Sequence, residues 1–415
     1  MPRKKKLAEV EDLTGNLMLE GAEEDSVSKD IDLSKNISPE DLKKGKALMD
    51  DFQSTIFNNI NEKPDQNDKP IFLPTGIDIL DTILGGGFVA GMVQIAGPPG
   101  CGKSTLIARA IANCQLIWPG NFISAYIDTE SAMTKERLTH LEIKNPPMTP
   151  YNDSITVEKV FKFLDQLCTY KENNPHTMEI PSMLVWDSLA NTLPEVGLDE
   201  KKSLDQLIGR RAAILSFLMP KYVSKLRKYK ICFVVINQIR DKFDLGVVKS
   251  ASILKKLGDK TIPGGNNFHH NASQFLMLNH ISDYKGGVGL NARDDNGSVS
   301  NSFPFSGCHV KAQALKNKTY SPHIEIKMVM SYRNGFSNFW TNYQFLKDHK
   351  IITSGGGWVT INGYSGPKFR QESAYKEYMI NEEFKTVIDQ AVKDTIDSEL
   401  IKKYKTMEQY DEDSE

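Results

Sequence analysis

Gly97-Pro98-Pro99-Gly100-Cys101-Gly102-Lys103-Ser104-Thr105 satisfies the pattern G-x-x-x-x-G-K-[S/T] without a mismatch, at Gly97, Gly102, Lys103 and Ser104. Its flanks agree with it. Met92 to Ala96 is an apolar, β-capable run, and Thr105 to Gln115 has the apolar spacing of a helix. Strand, glycine-rich turn and helix start therefore follow in the order that phosphate binding needs. Glycines let the backbone curl until several N–H groups face one anion, and a helix N-terminus adds positive potential there. In that geometry Lys103 reaches the β- and γ-phosphates of a nucleoside triphosphate, and the Ser104 hydroxyl ligates Mg²⁺. Every residue from Gly97 to Thr105 is a candidate nucleotide ligand.

Outward from this loop, short apolar runs at 92–96, 122–127, 183–186, 231–236 and 274–278 alternate with helical patterns at 102–117, 134–142, 157–170 and 203–228. That alternation predicts an α/β fold, a mostly parallel twisted sheet with right-handed crossovers and helices on both faces. Ligands in such sheets gather at the carboxyl ends of strands. Asp128-Thr129-Glu130, Asp187-Ser188 and Asn237-Gln238 stand at those ends. Asp187 follows the apolar run Met183 to Trp186 and is the acid expected to hold the metal or its water shell. Glu130 stands where a carboxylate orients or deprotonates an attacking water, or where a solvated acid ends a strand, and the residues alone leave both open.

The composition bounds the rest. A chain of 415 residues, 40% hydrophobic and 25% charged, has the make-up of a globular protein with a large core. With a net charge of −2, any nucleic-acid surface must be local. The five cysteines are scattered and form no Cys-x-x-Cys pair, which argues against a disulfide framework and a zinc site and suits a reducing compartment. No apolar run is long enough to span a membrane, so a cytoplasmic protein is expected.

Residues 1–37 mix basic and acidic clusters with few large apolar residues and read as disordered. Ser38-Pro39-Glu40-Asp41 starts a helix that runs to about Ile60. Its apolar face packs on the chain's own core or docks on a neighbouring subunit, and a polar linker to Lys69 follows. Residues 70–332 read as the nucleotide-binding core and 333–410 as a small C-terminal α+β domain. Within the latter lie Gly355-Gly356-Gly357-Trp358 and a helical run over 382–405, and 411–415 is an acidic tail expected to be disordered.

The segment between Ile239 and Phe268 is long for a loop inside a compact domain. Arg240, Lys242, Lys249, Lys255, Lys256 and Lys260 alternate there with apolar residues including Phe243, and the segment closes on Pro263-Gly264-Gly265-Asn266. Cations for phosphates and inserted side chains for bases fit single-stranded nucleic acid. Arg210 and Arg211, on the helical pattern at 203–228, are counted with this DNA-binding surface. Residues 284–305 read as an exposed hairpin or insertion. Lys316-Asn317-Lys318, at the end of a strand-like run, reads by itself as a solvated turn.

Taken together, the chain resembles the RecA-family recombinases, in particular the RecA-like recombinases of bacteriophages (the UvsX type), from about Leu73 to Arg370. The likeness rests on Thr75-Gly76-Ile77-Asp78-Ile79-Leu80-Asp81 with Gly85-Gly86-Gly87, the phosphate loop, Asp128-x-Glu130, Val185-Trp186-Asp187-Ser188 and Ile236-Asn237-Gln238-Ile239-Arg240. It continues through Gly264-Gly265-Asn266, Val310-Lys311 to Lys316-Asn317-Lys318, and Gly356-Gly357-Trp358. The resemblance implies a RecA-like core with an N-terminal oligomerisation helix, and ATP and Mg²⁺ as cofactors. It implies a DNA-stimulated ATPase that forms head-to-tail helical filaments on single-stranded DNA and exchanges strands with duplex DNA, alongside a single-strand-binding protein or a loading mediator. Glu130 would activate water, Gln238 would sense the γ-phosphate, and 241–263 would be the main DNA-contacting loop, with Phe243 inserted between bases. Lys316 and Lys318 would reach into the neighbouring subunit's ATP site. Where bacterial members place an acid and a tyrosine near adenine, this chain has Thr134 and Arg137, and Arg137 becomes the candidate base contact. A hexameric helicase on the same core and a non-hydrolysing mediator paralogue are the alternatives.

Overall fold

Successive side chains of a strand point to opposite faces. In this protein both faces are covered, which is why the strands read as unbroken apolar runs rather than alternating ones. The computed structural model describes residues 69–402 except 131–132, 145–154, 196–203, 242–259, 285–304 and 356–357, together with positions 40, 43, 44 and 47. The expectations for residues 1–37, most of the helix at 39–60, the insertion at 284–305 and the acidic tail fall outside the described residues. By its contacts the chain divides into Met1–Asn67 and Asp68–Glu415. In the first unit, helical positions 40 and 44 carry an exposed ion pair, Lys44 with Glu40 at 3.2 Å.

In chain order the elements are β1 (Phe72–Leu73), α1 (Asp78–Leu84), β2 (Phe88–Val89), β3 (Gly91–Gly97), α2 (Lys103–Ile117), β4 (Ile123–Asp128), α3 (Lys135–His140) and α4 (Val157–Asn173). Then come β5 (Ser182–Asp187), α5 (Leu204–Leu218), α6 (Val223–Lys228), β6 (Ile231–Gln238), β7 (Arg240–Asp241), β8 (Lys260–Thr261), α7 (Asn266–Asn271) and β9 (Gln274–Tyr284). The last part contains β10 (Gly307–Asn317), β11 (Glu325–Ser331), β12 (Gly335–Phe336), α8 (Asn338–Asp348), β13 (Ile352–Gly355), β14 (Trp358–Ile361), α9 (Ala374–Ile380) and α10 (Glu382–Thr395).

One eight-stranded sheet carries the fold, in the order β12-β11-β10-β9-β3-β6-β5-β4. From β9 to β4 neighbouring strands are parallel, and β10, β11 and β12 extend the sheet antiparallel. Val93, Ile95, Val185, Val234 and Ile236 turn to one face, under Leu106, Ile107 and Ile111 of α2. Met92, Ile127, Leu184, Trp186, Phe233 and Val235 turn to the other, against Val160, Phe161 and Leu164 of α4, Leu215 of α5 and Leu226 of α6. This is the mostly parallel, helix-flanked sheet that the alternation predicts.

The differences have local causes. The helical pattern at 203–228 is not one helix. α5 ends at Leu218, Met219–Lys221 form a 3₁₀ turn, and α6 starts at Val223. Pro220 explains the break, since it has no N–H for the preceding turn. β9 runs well beyond the expected 278, because β10 pairs along it from Asn317 back to Gly307. The helical run from 382 leaves α geometry after Thr395 and closes as a π-helical segment, Ile396–Lys402.

Near the N-terminal edge, Thr75-Gly76 and Asp81 form a structural clasp. The Asp81 carboxylate accepts from Thr75 N and Thr75 Oγ1 at 2.8 Å each and from Gly76 N at 3.2 Å. Burial nevertheless pushes its carboxyl up to about 7.

Candidate functional site

Parallel register brings the site together. β3 and β6 set Gly97 opposite Gln238, and β4 and β5 set Asp128 opposite Asp187. The glycine loop follows β3, and its last glycine, Gly102, is the N-cap of α2 with φ +88°. A Cβ there would stand 2.6 Å from Met330 Sδ and 3.0 Å from Phe336, so only glycine lets the loop lie this close to β11 and β12. Gly97 is equally constrained, since a Cβ would stand 2.4 Å from the Leu278 carbonyl oxygen.

A cleft of about 320 Å³ opens over the loop, lined by Pro99, Gly100, Gly102 to Thr105, Glu130, Arg137, Asp187, Ser188, Ile236, Gln238 and Met330 to Tyr332. Gly97, Pro98 and Cys101 belong to the loop without lining the cleft, and the Cys101 side chain is turned into the core. Lys103 is buried and donates to the carbonyl oxygens of Gly97 at 3.1 Å and Pro98 at 2.8 Å. Its charge is thus held over the loop by the loop's own backbone.

At the end of β5, Asp187 Oδ2 accepts from Ser104 Oγ at 2.5 Å and from Tyr126 OH at 2.6 Å. Burial raises the Asp187 carboxyl above its ordinary value, and the Ser104 and Tyr126 donors oppose that. A hydroxyl and a carboxylate converging beside a phosphate loop are hard oxygen donors, the set that suits Mg²⁺. Tyr126 is itself pushed well above its usual value by burial, then by the Asp187 charge, and so remains a proton donor.

Glu130 sits past β4 with one carboxylate oxygen, Oε1, accepting three bonds. The donors are Ser188 Oγ at 2.9 Å, Asn191 Nδ2 at 2.9 Å and Gln238 Nε2 at 3.0 Å. Gln238 and Glu130, to which the resemblance gives separate roles, are therefore in direct contact. The neighbouring Asn237 is buried and faces the other way, donating Nδ2 to the Pro263 carbonyl oxygen at 2.6 Å. Two adjacent residues of β6 thus tie the cleft to the far end of the basic segment. The root of that segment is a short antiparallel pair, Arg240 opposite Thr261 and Asp241 opposite Lys260. Lys242, Phe243, Lys249, Lys255 and Lys256 lie outside the described residues. Gly264 and Gly265 lead into α7, which Asn266 begins.

Two basic candidates part company. Arg210 is exposed on α5, but Arg211 is buried, only 5% exposed. Its Nη1 donates to the carbonyl oxygens of Leu189, Ala190 and Thr192 at 3.2, 3.0 and 3.3 Å. Arg211 is thus a structural brace for the turn after Asp187, and its assignment to a DNA surface is corrected.

Arg137 lines the cleft as expected, and its guanidinium works as a clasp. Nη1 donates to the main-chain oxygens of Tyr332 and Arg333 at 3.1 and 3.3 Å, and Nη2 donates to Thr105 Oγ1 at 3.2 Å. Thr134 caps α3 by accepting from Arg137 N at 3.2 Å. The wall that Arg137 secures, Met330 to Tyr332, is the part of the cleft that sequence reasoning missed. Gly335 completes it, with φ +77° and a Cβ position 2.9 Å from Thr105 Cγ2.

Lys316 and Lys318 do not line this chain's own cleft. Lys316 Nζ donates to the His270 carbonyl oxygen at 2.7 Å and to that of His269 at 3.4 Å. Burial, then the charge of Lys318, brings its ammonium down to about 8.

Fold and cleft together define an α/β protein of the phosphate-loop class. A family model described as the RecA N-terminal domain matches residues 58–337. The chain belongs to the RecA family. It is 27% identical over 325 residues to Protein RecA of Clavibacter michiganensis, covering 77% of this chain and 79% of that protein. To Protein RecA of Mycoplasma mobile it is 27% identical over 290 residues, covering 69% and 76%. A crystal structure of the RadB recombinase aligns with 64% of this chain and 98% of its own, at 18% identity and a TM-score of 0.40. Among the described residues, no helix is long and apolar enough to cross a membrane.

Proposed function

We propose that this chain is a DNA-dependent ATPase that polymerises head to tail on single-stranded DNA and catalyses homologous pairing and strand exchange with duplex DNA. The observation that carries the proposal is the pair Asn237-Gln238. Gln238 donates to Glu130 inside the cleft, while Asn237 holds Pro263 at the end of the basic segment. A γ-phosphate that draws Gln238 away from Glu130 acts on both a carboxylate and the strand from which the DNA-contacting segment 241–263 departs.

In this reading the loop amides and Lys103 hold the phosphates, with Lys103 exchanging backbone oxygens for phosphate oxygens. Ser104 and Asp187 hold Mg²⁺, which when bound neutralises charge developing on the transferred phosphoryl group. Glu130 orients and deprotonates water, Gln238 reports the γ-phosphate, and Arg137 secures the wall beside the base. Lys316 and Lys318 act on the neighbouring subunit's nucleotide, consistent with their position outside their own cleft. Arg240, Lys260, Gly264, Gly265 and Asn266 frame the DNA segment, and Arg210 offers an exposed cation nearby. Such a heterologous, non-closing contact generates filaments. The protein works in the cytoplasm, with a single-strand-binding protein or mediator at loading, and its motif order favours the bacteriophage branch.

The test is oligonucleotide affinity with an ATP analogue, with ADP and without nucleotide, beside ATP turnover with and without single-stranded DNA. Tight binding confined to the ATP analogue and DNA-stimulated turnover are expected. Equal affinity in all three states overturns the proposal. Closed rings instead of filaments by electron microscopy would favour the helicase alternative.

A further inference from the structure

On the antiparallel side of the sheet, β9, β10 and the end of β11 gather groups that no sequence spacing connects. Asp283 and Cys308 are register partners across β9 and β10. His280, earlier on β9, places Nε2 2.8 Å from Asp283 Oδ1. The ligating atoms of His280, Asp283 and Cys308 all lie within 4.8 Å of one another. Tyr332 donates its hydroxyl to the same Asp283 oxygen. Cys308 is buried, whereas His280 and Asp283 are exposed. The cluster is thus closed on the core side and open to solvent on the other.

We propose that His280, Asp283 and Cys308 form a binding site for a zinc-class divalent ion, and that its occupancy sets the position of Tyr332 in the nucleotide cleft. Nitrogen, carboxylate oxygen and thiolate sulfur form a borderline-soft donor set, unlike the hard oxygens of Ser104 and Asp187. Zn–N and Zn–O bonds near 2.0 Å and Zn–S near 2.3 Å give tetrahedron edges of roughly 3.3–3.6 Å. Closing the widest edge from 4.8 Å therefore takes a movement of roughly 1 Å. On binding, a metal–sulfur bond forms, the thiol proton leaves to solvent, and no oxidation state changes. Water or the Tyr332 phenol fills the fourth position. The ion competes with the Tyr332 hydroxyl for Asp283. Tyr332 lines the cleft and its main-chain oxygen is held by Arg137, so the competition reaches the nucleotide. The ligands come from two strands, so counting cysteines and seeking Cys-x-x-Cys spacing passes over them.

The coupling half rests on the nucleotide reading of the cleft; the site itself does not, and the test separates them. Co²⁺ is titrated into the full, nucleotide-free chain while the visible and near-ultraviolet spectrum is recorded. One equivalent with tetrahedral d–d bands and a thiolate charge-transfer band is expected, lost on adding Zn²⁺ and absent in Cys308→Ser. The exposed His280→Ala, which does not touch the core, carries the same expectation if Cys308→Ser fails to fold. No charge-transfer band, or an unaltered band in the folded variants, overturns the site. Binding of a fluorescent ATP analogue in Mg²⁺ is then compared with and without one equivalent of Zn²⁺. A change of about threefold or more in the wild type and none in His280→Ala is expected, and equal affinities in the wild type overturn the coupling.

Discussion

Tyr126→Phe removes one oxygen atom and leaves the ring in place. Tyr126 is 1% exposed, and its hydroxyl donates at 2.6 Å to Asp187 Oδ2, the oxygen that also accepts from Ser104. Asp187 is 4% exposed, so little water is at hand to replace the lost donor. A hydrogen bond to a charged group contributes about 1.5–3 kcal/mol. Taking about 1.5–2 kcal/mol as the loss of support for the correctly oriented carboxylate, Mg²⁺ affinity of the nucleotide complex falls about 10- to 30-fold. The assay is a Mg²⁺ titration of fluorescent ATP-analogue binding, with affinity in chelator and the urea-unfolding midpoint as controls. The expected result is a shifted Mg²⁺ midpoint with chelator affinity unchanged. A shift below about twofold would refute the reasoning, as would an equal loss with and without Mg²⁺, because either result removes Tyr126 from the support of Asp187.

Glu130→Gln should lower ATP turnover by about 10²- to 10⁴-fold, the usual range for a general base, while ATP-dependent assembly on DNA survives. Turnover and sedimentation together check this, and lost assembly would count against the role. Arg211→Ala should cost about 2–3 kcal/mol in urea unfolding, because it removes the guanidinium donor from the Ala190 and Thr192 carbonyl oxygens while Leu189 keeps the Thr192 amide, and should leave the salt dependence of DNA binding unchanged. Arg210→Ala should do the opposite, and a weakened salt slope in folded Arg211→Ala would restore that residue to the DNA surface. His269 is buried, its Nδ1 2.7 Å from Gln94 Oε1, and burial lowers its pKa from 6.5 to about 4. The unfolded chain therefore takes up the proton first. Stability is fully present above about 6.5 and falls as pH drops toward 4, by about 2 kcal/mol between pH 7 and pH 5. Urea unfolding at the two pH values should show a smaller difference in His269→Gln, and an equal difference would exclude this histidine as the cause.

The fold was legible because both faces of the central strands are buried, which leaves uniform apolar runs, and three of those runs lead into polar residues of the cleft. Asp187, Glu130 and Gln238 stood out by that position, and the roles expected of Glu130 and Gln238 came from the family resemblance. Arg211 was misread although a signal existed. It precedes the buried Leu215 by four residues and so shares its helix face, while Arg210 does not. Pro220 likewise marked the break between α5 and α6. Tyr126 was hidden inside an apolar run, where a hydroxyl has no visible partner until β5 is placed beside β4. Tyr332 and the clasp from Arg137 depend on β11 returning to the glycine loop, a long-range pairing that no local pattern encodes.

The wall at the end of β11 bears on how the molecule can be dissected. Gly102 packs against Met330 and Phe336, and Gly335 packs against Thr105. A fragment truncated just before Met330 would retain the entire glycine loop and both acids, yet it would lack Tyr332, which lines the cleft, and Phe336, against which Gly102 packs. A fragment meant to keep the cleft whole therefore extends at least through Phe336, one residue short of where the family match stops.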